Sequence, residues 1–244
     1  MKPVKIDPGH RFRMLLTALA LLLTAYPLIK TEGLTRVSFH AFFQFVLLVG
    51  LFSIRRARGW FTVGALLVTP PILDFWGELC LPDLALWRSA GVQAASHVLT
   101  AAYLALLIVF VLRDLFSSRE VTTDRLYGAL SAYMLTALVF GSLYTALELV
   151  APGSFSIAEG LGGVATGGEQ KPLHSQGTLY YFSFISLTTV GFGDVSPSSA
   201  TAQMIVMWES IVGQAFLTIL VARLVGLHVA AGTENGASEE AGPG

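Results

Sequence analysis

Between Ser186 and Pro197 the chain reads SLTTVGFGDVSP, a polar, glycine-bearing stretch set in an otherwise apolar sequence. Thr188 and Thr189 bring hydroxyls, Asp194 brings a carboxylate, and Gly191 and Gly193 bracket an aromatic residue. Glycine enters left-handed dihedrals without the steric penalty that other residues meet. Two of them two positions apart predict a strand-like turn whose carbonyl oxygens are aimed. In lipid such backbone is tolerated only where it is buried in protein or lines a water-filled path.

The surrounding composition sets that stretch in a membrane. Of 244 residues 54% are hydrophobic and 13% charged, against about 25% charged in an ordinary soluble domain. The net charge of -1 gives no sign of nucleic-acid binding. A single cysteine, Cys80, excludes an internal disulfide framework and a multi-cysteine metal site, leaving a packed thiol or a link between chains. MKPVKIDPGHRFR followed by LLTALALLLTAY has the outline of a secretory leader. The run continues through Tyr26, Pro27, Leu28, Ile29 and Lys30 without a small-residue cleavage site, so a retained first helix is expected.

A spanning helix needs roughly 20 apolar residues. Six candidates are present: Arg13–Ile29, Val37–Ile54, Trp60–Trp76, Val92–Leu112, Leu126–Val150 and Ala200–Val229. The third is the shortest and holds Pro70 and Pro71, which predicts a bent or re-entrant segment. With the N-terminus inside, eleven basic residues fall on the inner side and four on the outer. The positive-inside rule then places both ends in the cytoplasm. The third-to-fourth connection, with Asp74, Glu78 and Asp83, becomes external and acidic.

The glycine-rich segment from Ala151 to Pro172 reads as an exposed external loop. After it, HSQGTLYYFSFISLTT is too short to cross the bilayer and predicts a re-entrant half-helix, Leu179–Thr188, ahead of the TTVGFGD turn. Ser198 and Ser199 stand where an N-cap for the last helix is needed.

Outer helix, half-helix, TTVGFGD and inner helix together resemble the pore module of tetrameric potassium channels, over about Asp124 to His228. Potassium-channel filters replace the ion's hydration shell with rings of backbone carbonyls from four loops. The resemblance implies K+ ligands at the carbonyls of Thr189, Val190, Gly191 and Phe192, with the Thr189 hydroxyl, and Gly193 completing the turn. Val190 and Phe192 would turn their side chains outward onto the half-helix. Thr188, Tyr181, Phe182, Asp194, Glu148 and Glu209 would support the filter. Gly213 would be a hinge or a close-packing position. Gln214, Leu217, Val221 and Val225 share a helical face that would line the cavity and inner gate. The chain departs from the family pattern in three places. Phe192 lacks the hydroxyl that a tyrosine would bring, Phe182 stands where relatives often carry an indole, and Ile185 where they often carry a carboxylate. Glu209, an ionisable group inside a span, is a functional-site candidate by cost alone.

The fourth span, VQAASHVLTAAYLALLIVFVL, has no Arg or Lys, so steep voltage gating is not expected. His97 within it reads as a packed helix histidine. The resulting expectation is an all-α membrane protein: cytoplasmic residues 1–12, a peripheral four-helix domain over 13–112, an interfacial linker over 113–125, a pore domain over 126–229, and a disordered acidic tail over 230–244. The resemblance implies a homotetramer in the cell membrane, in contact with lipid, that passes K+ and needs no organic cofactor. Its regulator, a ligand or a separate protein, is unidentified. No paired catalytic carboxylates, nucleophile–base set or metal cluster suggests an enzyme. The alternatives are a non-selective monovalent cation channel and a membrane sensor or scaffold with a silent pore. A potassium-uptake subunit is disfavoured, since it would carry four repeats with one filter glycine each.

Overall fold

Backbone in lipid must satisfy its own hydrogen bonds, and a helix does so within one segment. The apolar runs accordingly form α1 (Arg11–Leu28), α2 (Leu34–Ile54), α3 (Arg58–Cys80), α4 (Ala90–Ser117) and α5 (Thr123–Val150). There follow β1 (Phe155–Ile157), α6 (Gln176–Leu187), β2 (Val195–Pro197) and α7 (Ala200–Glu240). The computed structural model describes residues 11–28, 34–55, 57–80, 86–87, 89–117, 123–157 and 176–240. The expectations for residues 1–10, Asp83, linker residues 118–122, most of the external loop (158–172) and tail residues 241–244 lie outside the described residues.

Among the described residues three helices are long and apolar enough to cross a membrane: α4, α5 and α7 over Ala200–Arg223. α1 and α2 hold shorter apolar runs, Phe12–Thr24 and His40–Ile54. Polar side chains in these helices bond locally. In α5 the hydroxyls of Ser131, Thr136, Ser142 and Thr145 each donate to a carbonyl one turn back, at 2.7 to 2.9 Å.

α1 buries Phe12, Leu15, Leu19 and Leu22, a three-and-four spacing that makes one apolar stripe. It packs between α2 and α5, and α4 lies along α5 and α3. Tyr103 of α4 is fully buried and donates its hydroxyl proton to the Leu47 carbonyl of α2 at 2.7 Å. Asp124, at the start of α5, accepts from the Arg13 N–H at 3.4 Å. That places a carboxylate at the positive end of the α1 dipole.

Two expectations are corrected here. α3 is one continuous helix through Pro70 and Pro71, not a re-entrant segment. Val68 is buried, Leu67 and Ile72 pack on the same core, and Gln44 Nε2 donates to the Pro71 carbonyl at 3.2 Å. Such neighbours are what allow proline inside a membrane helix. The tail is not irregular from residue 230: α7 runs on to Glu240. Extending an existing helix needs no new nucleus, and Ala230, Ala231, Ala237, Glu239 and Glu240 are favourable helix residues.

Candidate functional site

α6 has 12 residues, about 18 Å at 1.5 Å per residue, well short of the roughly 30 Å a span must cover. It is held on three sides. Leu179, Phe182 and Ile185 are buried with Tyr144 and Phe155 in a core of their own. The Phe182 ring lies 5.6 Å from Tyr144 and 5.7 Å from Phe155, so the position is filled by aromatic packing. Tyr181 packs at the edge of the same core.

The helix ends in a defined way. Thr189 N–H bonds to the Ser186 carbonyl at 3.0 Å and Val190 N–H to the Ile185 carbonyl at 2.9 Å. That pair of bonds, with a left-handed residue between, is a Schellman motif. The left-handed residue is normally glycine; here it is Thr189, at φ +59°. The Thr188 hydroxyl donates to the Phe184 carbonyl at 2.7 Å. Gly191 and Gly193 follow at φ +54° and +76°. Positive φ at 189, 191 and 193, with negative φ at 190 and 192, is a strict alternation. Alternating handedness turns successive N–H groups to one side and successive carbonyls to the other. Val190 and Phe192 are 53% and 69% exposed within the single chain.

Beyond the turn, Asp194 Oδ1 accepts from Val195 N–H at 3.0 Å. β2 then pairs antiparallel with β1, with Phe155 opposite Pro197 and Ile157 opposite Val195. Glu148 is buried near the end of α5 and accepts from Gly153 N–H at 2.8 Å and Phe155 N–H at 3.2 Å. Its carboxylate thus holds β1, and β1 holds the strand that leaves the glycine turn. Ser199 caps α7, accepting from Ala202 N–H at 3.1 Å.

Glu209 is 0% exposed. Its carboxyl meets the Tyr144 hydroxyl of α5 and the Ser183 hydroxyl of α6. Ser183 also donates to the Ala137 carbonyl at 2.7 Å. One side chain of α7 therefore ties outer helix, half-helix and inner helix together behind the turn. The sequence singled out Glu209 but not Tyr144, Ser183 or Tyr180. The signal available was a polar group inside an apolar run, shared by many local hydroxyls.

Gly213 sits directly under the end of α6. A Cβ there would fall 3.0 Å from the Leu187 carbonyl oxygen and 2.7 Å from the Leu187 side chain. α7 passes through Gly213 as continuous helix, with the close approach of Leu187 on the side where a Cβ would stand. Gln214, Leu217, Val221 and Val225 all lie on exposed surface of α7. Between the last two, Arg223 lies over the Phe116 ring of α4 at 4.4 Å, joining α7 to the peripheral helices.

Residues 132–228 match the family described as ion channel. This segment is similar to that family. The match begins inside α5 and ends in α7, enclosing α6, the glycine turn and both strands, and takes in less than half of the chain. A comparison with curated proteins finds no match. Among the described residues the chain is thus mostly helical, with three helices long and apolar enough to cross a membrane and a segment similar to the ion-channel family.

Proposed function

We propose that the segment similar to ion channels conducts K+ selectively, with four copies of the chain arranged about one axis. The observation that carries this reading is the alternating φ at Thr189, Gly191 and Gly193. It gives one chain a single file of carbonyls on one side, and four such files make the rings that replace a K+ hydration shell. The C-terminal end of α6, with about half a negative charge from its dipole, faces the cavity below the filter. Val190 and Phe192 face neighbouring copies, and the exposed side of α7 lines the cavity at Gln214 and Leu217 and the gate at Val221 and Val225. All six long helices span the cell membrane, with both ends cytoplasmic.

The direct test is ion flux into liposomes holding the purified chain. Large K+ flux with little Na+ flux agrees with the proposal; equal flux of both ions contradicts the selective part. That second outcome is a non-selective cation pore. It is favoured by one observation, that Phe192 carries no hydroxyl and is largely exposed within its own chain.

A further inference from the structure

A cavity of about 40 Å³ lies among α2, α3, α4 and α6. Part of its wall is polar: His40 from α2, Asp74 from α3, Gln93 and His97 from α4. His40, Asp74 and His97 are the titratable groups facing it, together with the phenol of Tyr180. His40 and His97 lie within electrostatic reach of each other, and the His40 ring stacks on Phe75 at 5.3 Å. A cavity needs roughly 10–15 Å³ on this measure to hold one water, so the space suits about three.

We propose that this cavity is a proton-binding site, built from His40, His97 and Asp74, that acts on the half-helix α6. Histidine changes charge between about pH 5 and 8, and ionisable groups inside a membrane bundle are expensive to keep without a use. Water in the cavity solvates a charged imidazole, and the Asp74 carboxylate on the same wall is the counter-charge. Two imidazoles sharing one small space repel when both are protonated.

The link to α6 is a direct contact. Tyr180 of α6 lines the cavity, the Phe43 ring of α2 lies 5.4 Å from the Tyr180 ring, and the Tyr180 hydroxyl bonds to Ser142 of α5 at 3.0 Å. A charge that spreads α2 from α4 moves Phe43 against Tyr180. Because Ile185 of the same helix accepts from Val190 and Gly191 N–H, displacement of α6 reaches the glycine turn. Protonation loosens that support and lowers conduction. The last step rests on the conducting reading above; the site and its contact with α6 do not.

Two readouts separate those parts. The full chain is reconstituted with 4-fluorophenylalanine in place of Phe43, a probe that does not titrate, and its fluorine resonance is followed with pH. The resonance is expected to titrate as pH falls from about 7 to about 4, to lose that titration in His97→Gln and in His40→Gln, and to keep it in Glu209→Gln. K+ flux is expected to fall at least about threefold across the same range and to lose that dependence in both histidine variants. A resonance indifferent to pH, or one that titrates unchanged in both histidine variants, overturns the proposal. So does flux that keeps its full pH dependence in both histidine variants. A resonance that titrates in a chain passing no K+ at any pH upholds the site and overturns the conducting reading instead.

Discussion

Ser183 on the half-helix is hydrogen-bonded to Glu209 on the inner helix, and its Oγ also lies 2.7 Å from the Ala137 carbonyl oxygen of the outer helix. One proton shared between two acceptors makes a weaker, bifurcated bond to each. Both contacts are satisfied when Glu209 is the neutral acid: its O–H donates to Ser183, Ser183 donates to Ala137, and Tyr144 donates to the other carboxyl oxygen. A fully buried carboxyl fits that arrangement, since burying an unpaired charge is costly.

Glu209→Gln keeps one donor and one acceptor in place, so its thermal stability should stay within about 1 kcal/mol of the native chain. Glu209→Ala strands the Tyr144 hydroxyl and opens a cavity among three helices, and should cost about 2–4 kcal/mol. Thermal unfolding of both variants in one detergent checks the difference. A glutamine variant as unstable as the alanine one would mean that the carboxyl works as an anion.

Gly213→Ala sets a methyl group against the Leu187 carbonyl and should destabilise the domain by about 1–3 kcal/mol through overpacking. Gly226, with open space around its Cβ position, is the control, and Gly226→Ala should be neutral or slightly stabilising. Unfolding midpoints of the two distinguish close packing from a hinge. A hinge glycine would tolerate the methyl group in the closed state and lose opening instead.

Thr189 holds a left-handed conformation that costs an L-residue roughly 1–2 kcal/mol. Thr189→Gly should therefore leave the fold as stable as before or raise stability by up to about 1 kcal/mol, glycine's extra chain entropy offsetting part of the gain. The same variant removes a hydroxyl from the proposed ion path and should pass Na+ more readily. Gly193→Ala, at φ +76°, should lose about 1–2 kcal/mol. Unfolding midpoints and the K+ to Na+ flux ratio, read on the same preparations, test both.

Steep voltage dependence should be absent. A gating charge gains about 2.3 kcal/mol per 100 mV, and the one basic residue of α4 is Arg113, close to its C-terminal end and 5.5 Å from the Trp60 ring. Voltage steps across planar bilayers should change open probability by only a few-fold. A steep sigmoidal response would contradict this.

The elements were legible where lipid dictates them. Long apolar runs must be helices, Ser199 announced the start of α7, and the two glycines of TTVGFGD announced positive φ. What escaped the sequence depends on partners far along the chain. Pro70 and Pro71 argue for a break until the packing of Val68 and Gln44 around them is known. Gly213 looks the same in sequence whether it bends or lets Leu187 approach. Ile185 stands where relatives often carry a carboxylate, and Glu209, named from the sequence as a filter support, reaches that region from another helix and meets Ser183 and Tyr144. Its partners lie 26 and 65 residues away. No local pattern encodes such a meeting. Thr189 is the clearest case of a local rule broken, a β-branched residue where a helix end favours glycine, and it stands in the proposed ion path.

The most direct test of the central claim is the reversal potential of single pores with K+ on one side of a planar bilayer and Na+ on the other, for the native chain and Gly191→Ala. The account predicts a reversal potential far from zero in the direction of K+ selectivity, and loss of current or of selectivity when a methyl group is forced onto φ +54°. Native pores that reverse near zero, or that keep their selectivity in Gly191→Ala, would contradict it.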